Sequence, residues 1–234
     1  MQISMNKYIF SFFILLFFVL GQPVKALSPE TKTAVTSNQV VVIGASYAKG
    51  WLPTELAGFK VINKGVGGEE THQILARFQT DVVDLKPKAV IIWGFINDIF
   101  RSKPDLINAK LEKTKQNILT MIKMAQDAGI TPILATEVTI TTRTGFIESL
   151  ASFVGELRGK SSYQDYINGL VVETNHWLTE VATKQDIVLL DFKTVLADET
   201  GKRKREYATD DGSHLTVAAY MALTDYVKTI NLRL

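Results

Sequence analysis

Five short runs of apolar, mostly β-branched residues constrain this chain more than any other feature. Most close on small residues or a turn, and helical patterns separate them. Gln39-Val40-Val41-Val42-Ile43 is continuous and ends at Gly44-Ala45-Ser46. An unbroken run suits a strand buried on both faces, whereas a half-wet strand would alternate. Phe59-Lys60-Val61-Ile62-Asn63 reads as a second, shorter strand. It leads into Gly65-Val66-Gly67-Gly68 and a helix carrying Ile74, Leu75, Phe78 and Val82. Ala89-Val90-Ile91-Ile92-Trp93 is a third strand, closed by Gly94-Phe95-Ile96-Asn97-Asp98. A long amphipathic helix follows, with Ile107, Leu111, Ile118, Met121, Ile122 and Ala125 at three- and four-residue spacing. Pro104 suits its start and Gly129 its end. Thr131-Pro132-Ile133-Leu134-Ala135-Thr136 is the fourth strand. Tyr166, Ile167, Leu170, Val171, Trp177, Leu178 and Val181 line another helix, and Ile187-Val188-Leu189-Leu190-Asp191 is the fifth strand. Thr216 can cap a final helix carrying Ala219, Tyr220, Leu223, Val227 and Ile230.

Strands alternating with helices predict an α/β fold in three layers, with a five-stranded parallel sheet between helices. Residues that carry function are then expected at the carboxyl ends of the strands. The chain has 234 residues. That is enough for one domain with a sizeable core and too few for two comfortable ones. Residues 27–234 are expected to form a single domain, with no repeat or linker.

Residues 1–26 have a different character. Lys7 precedes an apolar run from Tyr8 to Leu20, broken only by Ser11. Gly21-Gln22-Pro23 then stops any helix, and Val24-Lys25-Ala26 resembles a cleavage site. This pattern predicts a secretory signal peptide and an exported protein, periplasmic or secreted. An uncleaved anchor is the alternative, but the run is short of the roughly 20 apolar residues that a span needs. Removing 1–26 takes Lys7 and Lys25 from the 26 basic residues and no acid. It leaves 24 basic residues against 24 acidic ones. Global charge therefore makes no case for nucleic acid. The chain has no cysteine, which excludes disulfides, thiolate catalysis and cysteine metal sites.

Asp211-Gly212-Ser213-His214 puts a carboxylate three residues ahead of a histidine, on one short turn. A histidine held through one ring nitrogen can face a nucleophile with the other. Ser46, just past the first strand, is the candidate nucleophile, with a plain N-cap serine as the alternative. Ala48 stands where a Gly-x-Ser-x-Gly elbow would have its last glycine, which counts against that fold. Gly67-Gly68 can present a backbone amide to a ligand, or serve only as a turn. Asn97 can aim its amide at an oxyanion, or cap a loop.

These blocks, in this order and at strand ends, resemble the SGNH/GDSL hydrolase family, whose fold is flavodoxin-like. The resemblance runs from about Val41 to Thr216. The family's first block appears as Gly44-Ala45-Ser46, its second-block glycine as Gly68, its third-block asparagine as Asn97, and its Asp-x-x-His as Asp211 to His214. It implies a triad of Ser46, His214 and Asp211, with Ser46, Gly68 and Asn97 forming the oxyanion hole. No cofactor is expected. Two positions depart from the family's pattern. Ala45 replaces an aspartate outside the implied triad. Phe95 stands where a glycine is usual, which bears on the Asn97 loop and on room for the acyl group. Asp210 is the neighbouring alternative to Asp211.

Three further stretches carry expectations. Phe146, Ile147, Leu150, Phe153, Val154 and Leu157 recur at helical spacing and read as a core helix or as a lid. Lys202-Arg203-Lys204-Arg205 reads as a solvated charge run, or as a patch for an anionic surface. His72 and His176 have no histidine at ligand spacing, so no metal site is expected. Trp51, Trp93 and Trp177 read as packing residues, with Trp51 near enough to Ser46 to line a pocket. The expected function is an esterase- or lipase-like carboxylic ester hydrolase acting through an acyl-enzyme, on a small-molecule or lipid ester, lysophospholipid or thioester. The alternatives are an O-acetylesterase on an envelope or extracellular polysaccharide, or a non-catalytic binder of the same fold. A monomer without nucleic-acid partners or a lasting membrane span is expected.

Overall fold

In the computed structural model the strands run in the order β2-β3-β1-β4-β5-β6 across one sheet. Residues 37–141 and 163–234 are described. The leader at 1–26 and the helical pattern at 146–157 lie outside them. In chain order the elements are β1 (Ser37–Gly44), α1 (Ser46–Gly50), β2 (Glu55–Leu56), β3 (Phe59–Gly65), α2 (Thr71–Ala76), α3 (Phe78–Asp81), β4 (Pro87–Trp93), α4 (Ile96–Phe100), α5 (Ile107–Asp127), β5 (Thr131–Ala135), α6 (Tyr163–Lys184), β6 (Val188–Leu190), α7 (Phe192–Leu196) and α8 (Val217–Thr229). The fold is α/β, as expected from the alternation.

The strand count is six, where the sequence reading has five. The extra strand, β2, pairs antiparallel with β3 at the sheet edge through Glu55↔Lys60 and Leu56↔Phe59. Two residues are too short for periodicity to register, and Ala57 and Gly58 make the tight turn between the strands with positive φ. All the other pairings are parallel. The helix read after Gly68 is also broken. It stops at Arg77 and resumes as α3, followed by a 3-10 turn over Val83–Leu85. The α5 helix ends as Gly129 predicts. Gly129 takes φ +71 and its amide meets the Gln126 carbonyl, while the Ile130 amide meets Ala125. This is the Schellman closure.

Residues Val40 to Ile43 and Ala89 to Ile91 are wholly buried, which is why they read as continuous apolar runs. The chain leaves β1 towards β3 on one side, then returns past β1 to β4 and on to β5 and β6. The order of strands therefore reverses at β1. In an open α/β sheet such a switch point leaves a crevice beyond the carboxyl ends of the strands. The register levels that crevice: Gly44 pairs with Gly65 of β3 and with Trp93 of β4. The loops carrying Ser46, Gly68 and Asn97 thus leave the sheet side by side.

Candidate active site

Ser46 is the first helical residue of α1. Ala45 takes the cap position, so the reading of Ser46 as an N-cap does not hold. Neither its hydroxyl nor its amide has a partner among the described residues, and the side chain lines a cavity of about 660 Å³. Close backbone approach shapes this corner. A Cβ on Gly44 would stand 1.8 Å from the Trp93 carbonyl oxygen, and one on Gly65 would stand 2.1 Å from the Lys49 nitrogen. Only glycine fits at either place. Asn63 then fixes the end of α1. Its Nδ2 donates to the Ala48 and Trp51 carbonyls at 2.6 and 2.7 Å, and its Oδ1 accepts from the Gly65 amide at 2.8 Å.

Gly68 adopts φ +79, the left-handed region where a side chain is strained. Its amide is also without a partner among the described residues. Asn97 lies within α4 and caps nothing. Its Nδ2 donates to the Glu69 carbonyl at 2.9 Å, which ties the Asn97 loop to the Gly68 loop. Arg77 braces the same loop from below, with Nε 2.8 Å from Glu69 Oε2 and Nη2 3.1 Å from the Gly44 carbonyl. Phe95 is buried in the core and does not line the cavity, so its bulk takes no room from a substrate. A Cβ on Gly94 would stand 2.9 Å from the Ala45 nitrogen, so the glycine is needed one position before Phe95.

The turn at residues 209–214 is built around Asp211. His214 Nδ1 lies 2.6 Å from Asp211 Oδ2. Asp211 Oδ1 accepts from the Ser213 and His214 amides at 2.7 and 2.9 Å and from the Thr209 hydroxyl at 2.9 Å. Partial burial pushes this carboxyl up, but these donors outweigh it and hold it well below the usual carboxylate range. His214 lines the same cavity as Ser46, Gly68 and Asn97. No hydrogen bond joins its ring to Ser46. In unliganded sites such bonds are often long and close only with substrate. Tyr47, Ile96, Phe100 and Tyr163 supply an apolar lining.

Two buried charges support the cavity loops, and the sequence reading missed both. Arg203 is 2% exposed, so the 202–205 segment is not a solvated run at that position. Its guanidinium donates to the carbonyls of Gly212, Ser213 (3.3 Å) and His214 (3.2 Å), gripping the turn that holds the histidine. Tyr47, next to Ser46, donates its hydroxyl to the Ser213 carbonyl at 2.5 Å. The second charge is Glu137, just past β5. Its Oε1 accepts from the Phe95 and Ile96 amides at 2.7 and 3.3 Å, at the start of the helix carrying Asn97. Burial pushes the Glu137 carboxyl up to about 7, against the opposing pull of those amides. Asn175 of α6 pins Glu137 in turn. It accepts from the Glu137 amide at 2.9 Å and donates to its carbonyl at 2.7 Å. A lone Glu after a strand, or one Arg in a basic run, carries no pattern that marks it as buried.

Trp51 is fully buried and lines a different cavity, so the packing reading holds and the pocket reading does not. Among the described residues no three His, Cys, Asp or Glu gather as metal ligands, and no helix is long and apolar enough to cross a membrane.

Residues 42–222 match the model of the GDSL-like Lipase/Acylhydrolase family. Solved structures of similar fold include a GDSL-like lipase from Bacteroides thetaiotaomicron, 20% identical with a TM-score of 0.62, covering 82% of this chain and 86% of that one. Another is an acetylxylan esterase from Geobacillus stearothermophilus, 17% identical with a TM-score of 0.62, covering 83% and 95%. The uncharacterized lipoprotein YqeF of Bacillus subtilis is 34% identical over 85 residues, which are 35% of this chain and 34% of that protein. The chain thus spans about a third of the length of that curated relative. With the match running from β1 into α8, the chain belongs to the GDSL-like lipase/acylhydrolase family and is a carboxylic ester hydrolase.

Proposed function

We propose that the chain is an exported serine hydrolase that cleaves carboxylic esters through an acyl-enzyme, with Ser46, His214 and Asp211 as its triad. The observation that carries this reading is the Asp211–His214 pair at 2.6 Å, facing the cavity that Ser46 lines. His214 takes the Ser46 proton as the oxygen attacks the ester carbonyl. Asp211, kept ionised by its amide donors, orients the imidazole and stabilises its cation. The unpartnered amides of Ser46 and Gly68, with the Asn97 side chain, receive the oxyanion. His214 then protonates the leaving alcohol and activates water against the acyl-enzyme.

Ser46→Ala tests the role. The expected result is loss of p-nitrophenyl ester hydrolysis and of fluorophosphonate labelling, with an unchanged far-UV spectrum. Substantial turnover by the folded variant would remove Ser46 as nucleophile. The substrate reading is a broad carboxylester, since the apolar lining of Ile96, Phe100 and Tyr163 gives more room than acetyl requires. An O-acetylesterase on polysaccharide is the second reading, favoured by the similar fold of an acetylxylan esterase. Turnover of acetylated xylan against a chain-length series of esters separates them.

Export rests on the pattern of residues 1–26 and on the partial match to a lipoprotein. A chain without cysteine has no thiol for a lipid anchor, so release after cleavage is the form proposed. N-terminal sequencing of the mature protein should begin near Leu27.

A further inference from the structure

We propose that the protein binds an anionic group of its substrate, a phosphate or a carboxylate, in a basic cavity beside the catalytic one. This deepens the ester-hydrolase reading and rests on it. The cavity holds about 400 Å³, and Arg101, Lys103, Lys110 and Lys113 line it together with Leu106 and Ala109. Four cations around one hollow repel one another and need counter-charge. One of the four, Lys110, is answered by Glu70, and the other partnered acids nearby are engaged away from the hollow. Glu112 pairs with Lys115, and Asp98 is turned inward onto Thr71 and Thr114. Arg101, Lys103 and Lys113 form no ion pair among the described residues, whereas Lys64, Arg77, Lys123 and Lys228 all do.

Position ties this cavity to the chemistry. Arg101 follows Phe100, which lines the catalytic cavity, and its Nη2 lies 3.0 Å from where a Gly68 Cβ would stand. The guanidinium therefore sits on the wall between the two spaces, next to a proposed oxyanion amide. A planar fork there matches two oxygens of a phosphate or carboxylate, and the lysines add charge beyond it. Leu106 is 55% exposed and gives the same hollow an apolar lip. An amphiphilic ester carrying its negative charge on the part that does not react fits this combination.

Two matched pairs of substrates test the subsite. One pair is 1-hexanoylglycerol 3-phosphate against 1-hexanoylglycerol. The other is mono-4-nitrophenyl glutarate against 4-nitrophenyl valerate. The readout is the ratio of kcat/KM for the anionic ester to that for the neutral one. In the wild type the ratio for at least one pair is expected at about tenfold, adjusted for the esters' own reactivities, and the pair that responds tells phosphate from carboxylate. The ratio should fall towards one in Arg101→Ala, fall part of the way in Lys113→Gln, and weaken as salt is raised. Calorimetric titration of glycerol 3-phosphate and of glutarate into Ser46→Ala gives a readout without turnover, with Arg101→Ala added as the control. Ester turnover with ratios near one, or ratios that the variants leave unchanged, overturns the subsite and leaves the hydrolase reading standing. Arg101-dependent binding in a protein that turns over no ester upholds the subsite and removes the catalytic reading.

Discussion

Asp211 concentrates five donors on one carboxylate, and that makes it the most sensitive single residue at the site. Asn at 211 keeps an acceptor for the Ser213 and His214 amides, but it turns an NH2 towards Nδ1 and favours the wrong imidazole tautomer. Asp211→Asn should lower kcat by about 10²–10⁴ with little change in KM, and Asp210→Asn should not, as saturation kinetics on a p-nitrophenyl ester will report. Arg203 acts through the turn. Removing it takes one donor from each of the Gly212, Ser213 and His214 carbonyls, which keep the Thr141 amide, the Tyr47 hydroxyl and the Thr209 amide respectively. The loss is that of charge-assisted hydrogen bonds and not of orphaned groups. Arg203→Leu should therefore lower stability by about 1–3 kcal/mol in urea melts. A displaced His214 should also cost kcat about tenfold to a hundredfold in the fraction that folds. Lysine is a poor replacement, since one ammonium cannot span three carbonyls. At this scale the sequence was legible where spacing is short. Asp-x-x-His closes on itself within one turn, so its geometry follows from four residues. The Arg203 contacts depend on how a long loop folds back on that turn, and no local pattern encodes it.

At the scale of elements, the sheet register explains why the blocks were readable at all. A buried parallel strand needs an unbroken apolar run, and the small residues after it mark where the chain turns out of the sheet. Gly44, Gly65 and Trp93 end level because the three strands pair in register, so three separate loops converge without any direct sequence signal. What stayed hidden was short or non-local: β2, the break at Arg77, and the buried Glu137 that joins β5 to α4. Glu137 also gives this scale its prediction. Its folded pKa, about 7, lies above the ordinary Glu value of 4.5. A raised acid binds more protons folded than unfolded. The stability it adds is fully present below about 4.5 and is lost as pH rises through about 7. Glu137→Gln keeps an oxygen for the Phe95 and Ile96 amides and removes that titration. The Tm of the variant relative to wild type should therefore climb between pH 5 and pH 8, by several degrees across the range. A flat difference would mean that the carboxyl titrates at its ordinary value. Activity measured alongside reports the Asn97 loop, since only a shift of α4 should lower kcat with KM held.

For the whole molecule, the question is how residues near its two ends come to share one cavity. The contacts that close this gap are few and specific. The Tyr47 hydroxyl reaches Ser213 across 166 residues of sequence, and Trp51 Nε1 donates to the Thr224 hydroxyl at 2.9 Å across 173. A Cβ on Gly50 would stand 2.3 Å from the Tyr220 hydroxyl oxygen, so α1 and α8 touch with no room between them. Beneath them Trp51 packs edge-on against Trp93 and Phe192, with ring centroids 6.1 and 5.2 Å apart. One indole thus joins α1, the end of β4, α7 and α8. The sequence marks Trp51 only as a large residue near Ser46, because contacts spanning most of the chain leave no periodic trace. Trp51→Ala removes the shared wedge and should cost about 3–5 kcal/mol. The bridge also predicts how unfolding occurs. If α8 is held to the sheet mainly through this cluster, near-UV, far-UV and activity losses should coincide in wild type under urea. In Trp51→Ala activity should fall at lower urea than helix content, because the segment bearing His214 can part from α1 while the sheet survives. Coincident transitions in the variant would mean that the Tyr47 and Arg203 contacts alone keep the histidine beside the serine.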